Sequence, residues 1–289
     1  MKCLVTGGAG FIGANLVRRL LNDGHVVVVW DNLSTGKREN LPGSPHGHLS
    51  FYEIDVADIS PEKHVEKRFD IIYHLAAHAR IQPSFKSPDE SFKANVGGTL
   101  KMLELAKKHD VPLIYAGSSS FYHDKYANPY TFTKWQGEEL CVMYNKVYKV
   151  PTAIARFFNV YGPFQIEDGP FATVMGVFEK CKREGKAFPI TGTGEQRRDF
   201  THVDDVVEGL VKVAEKRWNA DIFNFGTGAN YSVKEIARMF KPSAASYVPG
   251  RPGEAPETLA DIKATKKALG WTPKIKVDEY IKEFVSKCG

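Results

Sequence analysis

Cysteine is scarce in this 289-residue chain and no region is rich in charge of one sign. Each shortage removes a class of protein. The four cysteines, Cys3, Cys141, Cys181 and Cys288, stand far apart without a C-x-x-C pair. Neither a disulfide framework nor a zinc site is indicated, and a reducing cytoplasm is the expected compartment. His74, His78 and His202 have no carboxylate–histidine spacing around them and read as structural or pocket-lining, so no metal is expected. Long apolar runs are also missing. The longest, "HVVVVW" at 25–30, is strand-sized, and the opening "MKCLVTGG" has too short an apolar run for a signal peptide. No membrane partner is expected. The net charge is only +5 and the Lys and Arg residues are scattered, which argues against nucleic acid but tolerates an anionic small ligand. No internal repeat or low-complexity tract interrupts the chain. What is present is a 43% hydrophobic, 25% charged sequence, ample for a core and for one large domain or two unequal ones.

Apolar runs at 2–6, 26–30, 50–54, 70–74, 112–116 and 152–157 read as strands. Helical spacing occupies 11–23, 87–109 and 129–149; Leu100, Leu103 and Leu105 with Ala106 supply the apolar face of the second. Strands apolar throughout, alternating with helices, imply a parallel sheet covered on both faces, hence an α/β, doubly wound Rossmann domain. Beyond about residue 162, glycine, proline and charge break the rhythm ("YGPFQIEDGP", "TGTGEQRRD", "VPGRPGEAPE") around helices expected near 171–184, 203–217, 232–240 and 277–287. The expected division is a Rossmann domain over 1–162, with 201–226 returning to it, and a smaller C-terminal substrate lobe over 163–289.

"VTGGAGFIG" sets Gly7, Gly10 and Gly13 at three-residue spacing between the first strand and the first helix. Glycine permits the tight turn and lets backbone amides reach a pyrophosphate at the helix N-terminus. Asp31 closes the second strand, where a carboxylate accepts hydrogen bonds from both ribose hydroxyls of NAD and repels the extra phosphate of NADP. The expected cofactor is NAD. Further on, Tyr130 and Lys134 lie one helical turn apart in "PYTFTK", after the strand-end serines of "SSSFY". A nearby ammonium and a positive nicotinamide ring both favour a phenolate, so Tyr130 is a candidate base, with a serine hydroxyl holding the substrate oxygen beside it.

On these motifs the chain resembles the nucleotide-sugar 4-epimerase branch of the extended short-chain dehydrogenase/reductases. The likeness runs through "TGGAGFIG", "DNLSTG", "HLAA", "NVGGTL", "PYTFTK", "RFFNVYGP", "RRDFTHVDDV", "FNFGTG" and "RPGE" in the family's order. It implies that Gly7, Gly10, Phe11, Ile12 and Gly13 cradle the pyrophosphate and that Asp31, Asn32, Ser34, Thr35 and Gly36 surround the adenosine ribose. It places Asp55 and Val56 at the adenine. Leu75, Ala76, Ala77, Asn95 and Phe158 join Tyr130 and Lys134 towards the nicotinamide. It implies Ser118 as the catalytic serine, with Ser119 the runner-up, and Asn159, Arg198 and Arg251 on the substrate diphosphate. Asp204 reads as a capping or buried residue.

The reaction implied is C4 epimerisation of a UDP-hexose through a transient 4-keto sugar. Related dehydratases carry an Asp-Glu pair after the catalytic hydroxyl and decarboxylases a glutamate; Ser119 and Ser120 stand in those places. The small Thr258, where some epimerases have a bulky tyrosine, implies room for an acetamido group and favours UDP-GlcNAc/UDP-GalNAc, with or without UDP-Glc/UDP-Gal. Arg80 leaves a UDP-glucuronate 4-epimerase open. A 4-ketosugar reductase, or a catalytically silent NAD-binding sensor or scaffold, would carry the same cofactor motifs and stays open too. A homodimer through 87–109 and 129–149 is implied by the resemblance. The segment 123–129 between Tyr122 and Tyr130 is shorter than in typical epimerases, with His123 in place of the usual glycine, and a more open pocket is expected there.

Overall fold

The computed structural model describes residues 1–43, 47–60 and 69–288. The chain runs through β1 (Lys2–Thr6), α1 (Phe11–Asn22), β2 (Val26–Asp31), β3 (Leu49–Glu53) and β4 (Ile71–His74). It continues with α2 (Ile81–Lys86), α3 (Pro88–Phe92), α4 (Thr99–His109), β5 (Leu113–Ser118), α5 (Pro129–Tyr148) and β6 (Thr152–Phe157). Then follow β7 (Val160–Tyr161), α6 (Val174–Glu184), β8 (Phe188–Thr191), β9 (Arg197–Arg198) and β10 (Thr201–His202). The remaining elements are α7 (Val203–Val213), β11 (Asn219–Phe225), β12 (Tyr231–Ser232), α8 (Val233–Met239), β13 (Ala245–Val248), α9 (Lys263–Leu269) and α10 (Val277–Lys287).

Seven strands form one sheet in the order β11-β6-β5-β4-β1-β2-β3, every pair parallel. The all-apolar strands of the sequence are buried as expected: β2 is covered from Val27 to Asp31 and β5 along its whole length. One core layer packs α1 and α7 on one face through Leu16, Leu20, Val206 and Leu210. The other packs α4 and α5 through Met102, Leu103, Cys141 and Tyr144. Because strand order reverses between β1 and β4, the crevice beyond their C-terminal ends is where such a sheet accepts a ligand. Thr6, Asp31, His74 and Ser118 all emerge there.

The helix expected over 87–109 starts at Pro88 but widens into a π-type turn over Lys93–Gly98. Gly98 lies so near Val56 that an added Cβ would stand 2.9 Å from its Cγ2. Leu100 does not join the apolar face: it is exposed, whereas Leu103, Leu105 and Ala106 are buried. A third core, of Tyr161, Phe178, Phe188, Phe240 and Ile281, packs between α6, α8 and α10. Three short strand pairs, β7 with β10, β8 with β13 and β9 with β12, tie the loops beyond β6 together. The cap of α7 is His202, whose Nδ1 accepts the Asp204 amide at 3.2 Å, so Asp204 itself stays exposed. Asp205 is the buried acid, accepting the Lys274 and Ile275 amides at 3.0 Å each. Among the described residues no helix is long and apolar enough to cross a membrane.

The seam between α7 and β11 is tight at Gly209, where an added Cβ would stand 2.1 Å from Cε1 of Phe225. Alanine is the better helix former by about 1 kcal/mol, yet overpacking a filled seam costs about 1–3 kcal/mol. Gly209→Ala should therefore lower the urea midpoint; an unchanged or raised midpoint would show that the Phe225 ring yields.

Candidate active site

One cavity spans the ends of β1, β2, β4 and β5 and reaches the second lobe. From the β1–α1 turn, Gly7, Gly10, Phe11, Ile12 and Gly13 line it. Gly7 stands at φ 68°, and a Cβ on Gly13 would fall 2.1 Å from the Gly7 carbonyl oxygen, so the turn closes only on glycine. Gly10 caps α1 without a side-chain bond, which leaves first-turn amides directed at the cavity. Asp31, Asn32, Ser34 and Thr35 follow from the end of β2, with Asp55 and Val56 beyond them. The Asp31 carboxylate accepts the Ala9 amide at 2.9 Å and the Leu33 amide at 2.8 Å. Burial pushes its pKa up and these backbone bonds pull it back. A carboxylate has about four acceptor positions, so capacity remains for ribose hydroxyls. A glycine cradle on a helix N-terminus beside a strand-end carboxylate fits a dinucleotide.

Leu75, Ala76, Ala77, Ser118, Tyr130 and Lys134 line the same cavity. The Tyr130 hydroxyl donates to Ser118 Oγ at 3.3 Å, and Ser118 Oγ also accepts the Ser120 hydroxyl at 2.9 Å and the Ser120 amide at 3.2 Å. Tyr130 is positioned through its backbone as well, its amide donating to Ser84 Oγ on α2 at 3.1 Å. Burial pushes the Tyr130 phenol up, while the Ser118 bond and the charge of Arg80 pull it down. The sequence pattern names Lys134 as the phenol's cation. The Arg80 charge acts in the same sense, and the Lys134 ammonium lies over the Tyr115 ring, 4.4 Å from its centroid. Burial lowers Lys134 to about 8, opposed by Glu138.

Glu138 and Arg156 form a buried ion pair behind this group, with Arg156 Nη2 2.7 Å and Nε 3.0 Å from Glu138 Oε2. Glu138 lies one turn beyond Lys134 on α5, and Arg156 on β6 also donates to Tyr122 Oη at 3.0 Å and stacks 3.4 Å from the Phe121 ring centroid. The pair thus fixes the turn after Ser118 to the helix carrying Tyr130. The helix spacing 130–134–138 is visible in the sequence; the β6 partner is not.

Asn159, between β6 and β7, and Arg198, Arg251 and Thr258, from beyond residue 162, also line the cavity. Arg198 Nη2 is 3.4 Å and Arg251 Nη1 3.9 Å from the Glu254 carboxylate. Asn159 Nδ2 donates to Thr258 Oγ1 at 2.9 Å, so these two residues also brace each other. Their neighbour Asp199, fully buried, accepts amides of Thr227, Gly228 and Ala260 at 2.8, 2.9 and 3.1 Å and fixes the strand end beneath. Three expected contact residues lie off the cavity. Gly36 packs on the Ala9 backbone. Asn95 is buried, accepting the His78 amide at 2.8 Å and donating to Thr133 Oγ1 at 3.0 Å. Phe158 is buried against Gly226 and the Tyr122 ring. Of the histidines, His74 is held between Thr6 and Thr99 at 2.8 and 3.1 Å, and burial lowers it to about 3. His78 and His123 do line the cavity. Asn128 of the short 123–129 segment donates through Nδ2 to the Gly253 carbonyl at 3.1 Å, and Gln82 Nε2 of α2 donates to that of Pro252 at 2.9 Å.

Two outcomes test this network. Removing Glu138 leaves the Arg156 charge buried without its partner, so Glu138→Ala should lose roughly 3–5 kcal/mol in chemical denaturation; a loss below about 1 kcal/mol would mean solvent replaces the carboxylate. Lys134 has a folded pKa of about 8, below its ordinary 10.5. Between those values the unfolded chain holds the extra proton, so this group's contribution to stability rises with pH. The stability of the native protein relative to Lys134→Met should therefore climb across that window; a flat difference would contradict the burial of the ammonium.

Comparison with known proteins gives the same picture. Residues 3–226 match the family model described as the NAD dependent epimerase/dehydratase family. A putative UDP-glucose 4-epimerase of Methanocaldococcus jannaschii is 32% identical over 98% of this chain and 97% of its own length. The UDP-glucose 4-epimerase of Thermotoga maritima, solved with UDP-glucose, superposes with a TM-score of 0.91 at 32% identity, covering 99% of this chain and 98% of that one. A UDP-glucuronic acid 4-epimerase variant of Bacillus cereus, solved with NAD and a fluorinated UDP-glucuronic acid, gives a TM-score of 0.89 at 29% identity over the whole of both chains. The chain is an extended short-chain dehydrogenase/reductase, and it belongs to the NAD-dependent epimerase/dehydratase family, with NAD as its cofactor.

Proposed function

We propose that the protein interconverts C4 epimers of a UDP-hexose. The observation that carries this reading is the single cavity in which Ser118, Tyr130 and Lys134 meet the glycine turn on one side and Arg198 on the other, with Tyr130 Oη donating to Ser118 Oγ at 3.3 Å. NAD, when bound, supplies the acceptor and donor for the hydride at C4. Tyr130, as phenolate, takes the proton of the 4-hydroxyl and returns it to the keto oxygen once the sugar has presented its other face. Ser118 holds that oxygen, and Ser118 and Arg80 together oppose the burial that keeps the phenol protonated. Arg198 and Arg251 grip the diphosphate, for which planar guanidiniums suit paired oxygens.

Side reactions lack their tools. Ser119 and Ser120 line the cavity beside Ser118, where dehydration or decarboxylation would call on a carboxylate. Thr258, small and in the cavity wall, leaves space for an acetamido group, which suits UDP-GlcNAc/UDP-GalNAc as well as UDP-Glc/UDP-Gal. A second copy of the chain would cover the exposed apolar side chains Leu100, Met143 and Val147 on α4 and α5, in a homodimer.

The test is incubation with UDP-GlcNAc and UDP-Glc without added NAD, products resolved by NMR. Interconversion of C4 epimers is expected, and Tyr130→Phe should slow it by roughly 10²–10⁴-fold, the usual worth of a general base. Net consumption of NADH with a ketosugar would instead indicate a reductase, and retained NAD without any product a binding module.

A further inference from the structure

Cations in this cavity mostly have protein partners. Arg198 and Arg251 face Glu254, and Lys93 lies 3.4 and 3.0 Å from Asp55 and Asp58. Arg80 differs. Among the described residues its guanidinium makes one hydrogen bond, from Nε to the Phe171 carbonyl at 3.2 Å, and no carboxylate comes within ion-pair distance. An arginine carries five N–H donors, so both Nη groups keep theirs. The side chain is partly buried in the cavity wall. A half-buried cation with unpaired donors favours an anionic ligand in the cavity it lines.

Its placement says where that anion belongs. Arg80 caps α2, the helix whose Ser84 receives the Tyr130 amide, so the guanidinium stands on the tyrosine side of the cavity. Arg80 also holds φ 88° and ψ 143°, a conformation that residues with a side chain rarely adopt and that the surrounding structure must enforce. Burial lowers its pKa, as does the charge of Arg251, while the nearby Tyr130 and Glu254 charges raise it.

We propose that Arg80 forms a carboxylate subsite for the hexose, so that the preferred substrate is an acidic nucleotide sugar. This rests on the reading that the cavity takes a UDP-hexose and adds the charge of that hexose. A planar guanidinium with two free Nη groups matches a carboxylate bidentately. The carboxylate can belong to C6 of a uronic acid or to an acidic ether substituent on the ring.

The experiment is calorimetric titration of the NAD-loaded protein and its Arg80→Gln and Arg80→Gly variants with UDP and with two matched pairs: UDP-Glc against UDP-glucuronate, and UDP-GlcNAc against UDP-N-acetylmuramate. Glycine relieves the backbone at this position, so that variant separates loss of charge from loss of fold. In one pair the acidic member should bind roughly 10- to 100-fold more tightly than the neutral one, the worth of a charged hydrogen-bonded contact. That pair identifies the source of the carboxylate. Both variants should bring the ratio close to one and leave UDP affinity in place. Equal binding of acid and neutral members by the unsubstituted protein would overturn the subsite. So would an equal loss of affinity for UDP itself, which would put Arg80 on the diphosphate. A shift of the phenol limb of the pH–rate profile, equal for both members and without loss of selectivity, would make Arg80 a counterion of Tyr130 instead. Should an acidic preference appear without C4 epimers forming, the epimerase reading alone fails.

Discussion

Behind the reacting groups, Glu138 and Arg156 share three hydrogen bonds where almost no water reaches. Such a pair costs much desolvation and gives little net stability, but breaking it on one side is severe. Here its geometric effect matters more. Arg156 on β6 reaches Tyr122 and stacks on Phe121, fixing the turn that follows Ser118, while Glu138 belongs to the helix that presents Tyr130 and Lys134. The Ser118 amide is also among the donors that lower Glu138 against its burial. A serine at a strand end and a tyrosine on the next helix are thereby held to a single distance.

That distance determines the electrostatics. Tyr130 is buried enough to resist ionisation, and the groups that counter this are one hydroxyl and one guanidinium. Lys134, over the Tyr115 ring and close to its own titration range, is balanced by Glu138. The cations of the cavity thus have different partners. Lys134 lies over the Tyr115 ring, Arg198 and Arg251 face Glu254, and Arg80 bonds the Phe171 carbonyl.

What could be read from the sequence follows the range of the interactions. The glycine turn, Asp31 and Tyr130-x-x-x-Lys134 are local patterns whose spacing follows from helix and strand periods, and the fold puts them in one cavity. Asn95, Gly36 and Phe158 stand in the same motifs, yet packing turns Asn95 towards His78 and Thr133 and buries Phe158. Leu100 stands in the same apolar run but lies outside the core, because the helical period of α4 gathers Thr99, Met102, Leu103 and Ala106 on one face and leaves Leu100 on the other. The hold of Ser84 on Tyr130, the Arg156 partner of Glu138, and the contact of Arg80 with Phe171 join segments far apart in the chain. No local pattern encodes them. The bond from Asn128 of the short 123–129 segment to the Gly253 carbonyl is a further case.

In the proposed reaction the hydrogen leaving C4 returns to C4 of the same sugar, while Tyr130 handles only the proton. The direct measurement is the fate of deuterium placed at C4 of a UDP-hexose that the protein turns over in ordinary water. Retention of the label at C4 of the inverted product is the predicted result. Loss of the label to solvent, or label retained with no inversion at C4, would contradict it.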